Sequence, residues 1–134
     1  SGHVHLFTAT QVIKSNGRLV MGAGNAKACL DAHPNMDLAM ARLFQKYPHK
    51  LVHTVGSSQS YGFVGAFIVK DHWRRPADIN LVIKATGQLE QLANDNPSYI
   101  FHLPFPAIGK GGLSVNEVLP IIQQLPENVL VYKV

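Results

Sequence analysis

Apolar and polar positions along this chain change period repeatedly, and the changes mark out alternating strands and helices. Residues 4–9, Val-His-Leu-Phe-Thr-Ala, are rich in β-branched and aromatic side chains and predict a strand. Ser15, Asn16 and Gly17 form a turn signal, because Asn-Gly takes positive φ at low cost, and residues 18–21 resume extended chain. A helix is expected over 25–33, stopped by Pro34, which disfavours helix at the residue before it. Asn35 is placed to cap a second helix over 36–47, where Met36, Met40, Leu43, Phe44 and Tyr47 recur at helical spacing.

Residues 50–55 and 63–69 read as two strands joined by a polar loop over 56–62, an antiparallel hairpin weakened but not forbidden by Gly65. Residues 70–76 break out as a charged and aromatic loop. A long helix follows over 77–93, with Ile79, Val82, Ile83, Leu89 and Leu92 close to helical spacing. Residues 99–103 predict a strand, and 104–112 a second glycine-rich loop. Ser114 with Glu117 three positions on is a capping box for the next helix, and Pro120 predicts a kink or a later start. Residues 129–133 predict a last strand. No repeat, low-complexity tract or linker interrupts the order, so 1–134 reads as one domain.

Directions can be counted along this order. With the strand before Met21 taken as rising, the strand at 50–55 descends, and those at 63–69 and 99–103 rise. The glycine loop after 21, the loop after 69 and the glycine loop after 103 then share one edge of a mixed α/β sheet. Ligands bind at that edge in open α/β sheets, outside the carboxyl ends of the strands. In the first loop, Met21-Gly22-Ala23-Gly24-Asn25-Ala26, two residues without Cβ atoms let a ligand approach the backbone. The helix that follows offers unpaired N–H groups and the positive end of its dipole, an arrangement suited to phosphate. Two such loops across one cleft suit a diphosphate better than a lone phosphate. Neither loop is a Gly-Lys-Ser/Thr phosphate loop, because Lys27 precedes Ala28 and Lys110 precedes Gly111.

Composition narrows the partners. Charged residues make up only 15% of the 134, the formal net charge is +4, and Arg74-Arg75 is the only adjacent arginine pair. A dense Lys/Arg groove is missing, so a small anionic ligand ranks first and nucleic acid second. The single cysteine, Cys29, excludes an internal disulfide and a cysteine-based zinc site, and reads as a small apolar filler on its helix. His3, His5, His33, His49 and His53 show no metal-ligand spacing, so neither metal nor cofactor is expected. No apolar run approaches a membrane span and no signal peptide is visible, which points to the cytoplasm.

Met21-Gly22-Ala23-Gly24-Asn25-Ala26, Phe67 to Lys70, and Pro106-Ala107-Ile108-Gly109-Lys110-Gly111 resemble the macro domain family, which binds ADP-ribose. The likeness runs over most of the chain from residue 19 to 133. It is strongest to the small single-domain ADP-ribosyl hydrolases of the terminal ADP-ribose glycohydrolase type. The resemblance implies a three-layer macro-like fold, a mixed central sheet with helices on both faces. It also implies that the two loops, with Phe105 and Gly112 flanking the second, hold the diphosphate and distal ribose of ADP-ribose or of an ADP-ribosylated macromolecule.

The same type uses a strand-end lysine to attack the ribose C1″ carbon, and the matching position here is Lys70. Where the family has an aspartate shortly after its second loop, this chain has Gly112-Leu113-Ser114, so the acid–base partner is either missing or replaced by Asp71. The resemblance therefore implies ADP-ribose binding with weak lysine-dependent hydrolysis, against the alternative of a noncatalytic nucleotide or nucleic-acid-end binder. Among the remaining candidates, Trp73 either stacks on a ligand or plugs the long helix, and Phe105 stacks on adenine or fills the core. Asn25 either bonds the distal ribose hydroxyls or caps its helix. His102 alternates along its strand, either as a core histidine bonded to backbone or as a residue reaching the ligand.

Overall fold

The computed structural model describes residues 2–57 and 62–133. The described residues form five strands, β1 (His3–Thr10), β2 (Val52–Ser57), β3 (Gly62–Lys70), β4 (Ile100–Pro104) and β5 (Val129–Tyr132), and four α-helices. The helices are α1 (Gly24–Ala32), α2 (Met36–Lys46), α3 (Ile79–Asp95) and α4 (Val115–Ile122), and a short 3-10 turn spans Gly109–Gly111. The strand order is β2-β3-β1-β4-β5. β1 runs parallel to β3 and β4, β4 parallel to β5, and only β2 is antiparallel, paired with β3 as the hairpin predicts. The central part of the expected loop at 56–62, residues 58–61, lies outside the described residues, while Gly56 and Gly62 belong to the two strands.

Burial follows the layering. Residues 64–69 of β3 are buried without a break, as an interior strand of a sheet covered by helices on both faces must be. Here Gly65 has a positive reason: it stands opposite Leu6 in the register, and a Cβ there would run into the Leu6 side chain and come within 3.2 Å of the His53 carbonyl. β4 and β5 alternate instead, burying Phe101, Leu103 and Val129 and turning His102, Leu130 and Tyr132 to the open side.

Residues 18–21 correct the expected strand. They do not join the sheet. The Asn16-Gly17 turn, with Gly17 at φ 82°, reverses the chain directly after β1. Residues 18–21 then pair back on 12–14 through Lys14 N–H to Arg18 O (2.7 Å), Val20 N–H to Val12 O (3.0 Å) and an Ile13–Leu19 bridge. β1 is therefore the rising strand beside the first glycine loop.

The returning segment is fastened to α2. Arg18 Nη1 lies 2.9 Å from Asp37 Oδ1, Leu19 N–H donates to Asp37 O at 3.0 Å, and Leu19 itself is buried. Asn35 does not cap α2 with its side chain. It takes a left-handed conformation (φ 72°), its backbone carbonyl accepts from Leu38 and Ala39, and its side-chain oxygen accepts from Arg18. The Ser114–Glu117 capping box is formed in both directions. Its helix starts directly after the cap, so Pro120 sits inside α4 and does not delay the start.

Candidate functional site

Three segments meet at the carboxyl edge of the parallel strands. The first loop reaches it through Asn25, whose Oδ1 accepts from the Thr8 N–H at 2.7 Å and from the Thr8 hydroxyl at 3.1 Å. The second loop reaches it through Lys110, whose carbonyl accepts from Lys70 Nζ at 3.1 Å. Thr10 and Lys70 are register partners at the ends of β1 and β3, so both contacts belong to one edge. The edge anticipated from strand directions is thus formed, with β1 in place of residues 18–21.

In the first loop, Met21 and Ala26 are buried and support it from beneath, while Gly22, Ala23, Gly24 and Asn25 are exposed. Gly24 has φ +61°, which a side chain would strain, and nothing lies within 4 Å of a Cβ built at Gly22 or Gly24. The N-cap Ala23 has no side-chain acceptor, and the first helical bond is Lys27 N–H to Ala23 O. The N–H groups of Gly24, Asn25 and Ala26 consequently have no partner among the described residues. Lys27 does not turn to them, being paired with Asp31 at 2.9 Å.

The second loop is tied down by its own backbone. Gly111 N–H donates to Ile108 O, Gly112 N–H to Gly109 O, and Leu113 N–H to Ala107 O, at 3.0–3.1 Å. Ala77 N–H donates to Gly111 O at 2.7 Å and Asp78 N–H to Val69 O at 2.9 Å. The charged loop after Lys70 therefore leaves the end of β3 and returns to it, bracing the second loop. Gly109, Lys110 and Gly112 are exposed and Ile108 is half-buried. Phe105, Pro106 and Gly111 are buried, and Phe105 belongs to the hydrophobic core.

Lys70 is half-buried at the centre of this edge, and Asp71 beside it is exposed and paired with Arg75 at 3.3 Å. Trp73 does not plug α3. It is 46% exposed, with the Arg74 guanidinium 4.6 Å over its ring and His72 stacked at 5.6 Å. His72 Nδ1 accepts from the Arg74 N–H at 3.1 Å, which puts the proton of the neutral ring on Nε2. Burial pushes the Cys29 thiol up to about 11, so it stays protonated and unreactive near neutral pH.

His102 is corrected from core to surface. It is half-exposed, 2.8 Å from His3 through its Nε2, bonded to the Tyr132 hydroxyl through its Nδ1, and stacked on His5 at 4.5 Å. This row lies on the open side of β1, β4 and β5. Among the described residues no group of three or more His, Cys, Asp or Glu side chains could hold a metal ion. No helix there is long and apolar enough to cross a membrane. A groove of about 350 Å³ between α3 and α4, lined by Ile83, Thr86, Gly87, Glu90, Ile121 and Gln124, includes none of the loop residues.

A five-stranded mixed sheet of this order with helices on both faces, and glycine loops at the carboxyl ends of its parallel strands, is the macro domain fold. The chain is similar to solved macrodomains over nearly its whole length. The macrodomain of Thermus aquaticus DarG is 25% identical, covering 97% of this chain and 87% of that one, with a TM-score of 0.75. The macrodomain of Mycobacterium tuberculosis DarG is 23% identical, covering 96% and 87%, at 0.77. Thermosipho africanus DarTG in complex with ADP-ribose is 16% identical at 0.80, and there this chain spans 98% of itself but 38% of the other. No family model and no curated protein matches the chain.

Proposed function

We propose that this chain binds ADP-ribose or an ADP-ribosyl group, with the diphosphate held between the first and second glycine-rich loops. The observation that carries the reading is the meeting of both loops at one sheet edge, the first through Thr8 and Asn25, the second through Lys70 and Lys110. The unpartnered N–H groups at the start of α1 supply donors and a favourable dipole for an anion. The similarity in fold to a DarTG solved with ADP-ribose supports the choice of ligand.

Lys70 is the candidate nucleophile. Its uncharged amine would displace the linked group at C1″, the ribose would open to a Schiff base, and water would return the free amine and ADP-ribose. A separate base is needed to move protons at the sugar. Asp71, the nearest carboxylate in sequence, is engaged with Arg75, so turnover is expected to be slow beside binding.

Calorimetry with ADP-ribose, ADP, ATP and NAD tests the binding. Failure of all four at millimolar concentration would overturn it. A second reading, a binder of nucleic-acid ends, is favoured by the exposed Trp73 with Arg74 stacked on it. It requires oligonucleotide affinity that falls steeply with salt and is lost with Trp73→Ala.

A further inference from the structure

The carbonyl end of the Asn25 side chain is occupied before any ligand arrives, because Oδ1 accepts both the N–H and the hydroxyl of Thr8. A backbone N–H can only donate, so the amide atom facing it is the oxygen and the orientation of the amide follows from chemistry. The exposed Nδ2 end is left with two N–H donors that have no partner among the described residues. It belongs to the same helix start as the unpartnered N–H groups of Gly24, Asn25 and Ala26. All these free groups are donors.

A sugar hydroxyl both donates and accepts, whereas a phosphate oxygen at neutral pH only accepts. A corner this rich in free donors matches the phosphate oxygen better. We propose that Thr8 is a positioning residue which, by holding Asn25 through Oδ1, presents the Nδ2 donors beside the free N–H groups of the helix start and makes this corner a donor-rich site that favours a phosphate oxygen over a sugar hydroxyl. The inference rests on the ADP-ribose reading and assigns Asn25 to the diphosphate, where the family resemblance pointed to the distal ribose. Thr8 stands in β1, 17 residues before Asn25, and no motif in the sequence links the two.

Calorimetry on wild type, Thr8→Val, Thr8→Ser and Asn25→Asp with ADP-ribose and with ADP tests it, each variant's thermal midpoint being recorded alongside. Thr8→Val is expected to weaken both ligands by about 5-fold, one hydrogen bond's worth of orientation. Thr8→Ser keeps the hydroxyl and stays within about 2-fold of wild type. Asn25→Asp still accepts from Thr8 and keeps the fold, but sets a carboxylate against the phosphate and weakens both ligands by at least about 10-fold.

A folded Thr8→Val with wild-type affinities would overturn the proposal. So would an Asn25→Asp that holds or gains affinity for ADP-ribose, since a carboxylate accepts well from sugar hydroxyls. Asn25→Asp decides alone if Thr8→Val does not fold. Wild type that binds neither ligand removes the ADP-ribose reading and this inference with it, whereas wild-type binding with unaffected variants removes this inference only.

Discussion

Lys70 at the end of β3 donates its ammonium to the backbone carbonyl of Lys110, 40 residues later, at 3.1 Å. One hydrogen bond thus joins the candidate nucleophile to the candidate diphosphate loop. Lys70→Ala is expected to abolish any release of ADP-ribose while leaving ADP-ribose affinity within about 5-fold of wild type, the scale of one lost hydrogen bond. Borohydride should trap a covalent adduct on wild type and none on the variant. Turnover that survives Lys70→Ala would show that the nucleophile lies elsewhere.

Gly22 separates ligand binding from folding. Its φ is not in the left-handed region, and a Cβ there meets nothing within 4 Å, so a side chain costs the fold little. Gly22→Glu places a carboxylate at the mouth of the first loop. ADP-ribose affinity is expected to fall by about 100-fold or more through like-charge repulsion, with the thermal midpoint unchanged. Calorimetry and a melting curve on the same sample decide it, and retained affinity would move the anion away from this loop.

Two other glycines predict opposite signs of stability change. A side chain at Gly65 collides with Leu6 and crowds the His53 carbonyl, so Gly65→Val should destabilise by about 2 kcal/mol or more, or prevent folding. Gly87 lies within α3 with open space around it and no positive φ. Gly87→Ala should therefore stabilise by about 0.5–1 kcal/mol. Denaturant titration of both variants checks the pair, and a harmless Gly65→Val would show that β1 and β3 are not packed as described.

Stability should fall as the solution is acidified from pH 7.5 to 5. Burial lowers the His53 pKa, with the ring packed against Phe44 and its Nε2 donating to Lys50 O at 2.9 Å. Burial, then His5, then His3 lower that of His102. The unfolded chain holds histidine near its ordinary value of about 6.5 and so binds more protons than the folded chain below it. The stabilisation is therefore full above that value and is lost as pH falls towards the depressed folded values. Glu117, held below the usual carboxylate range by its bonds to Ser114, adds the same sign only at lower pH. A thermal midpoint that does not drop between pH 7.5 and 5 would refute this, and His53→Gln should flatten the slope.

Local chemistry was enough to place most elements. The helix starting after Ser114, the hairpin from the two apolar runs on either side of 56–62, and both glycine loops follow from neighbours within a few residues, because capping, turn geometry and side-chain period act over that range. Residues 18–21 have the composition of a strand, yet their backbone bonds go to 12–14, since the Asn16-Gly17 turn folds them back before the sheet can capture them. Composition describes what a segment tolerates, and only the assembled chain decides which partner its N–H groups find. The same limit hid the outward side of His102, set by which half of the sheet the helices leave open. It also hid the Thr8–Asn25 bond, a contact between a strand and a helix start that exists only once β1 lies beside α1.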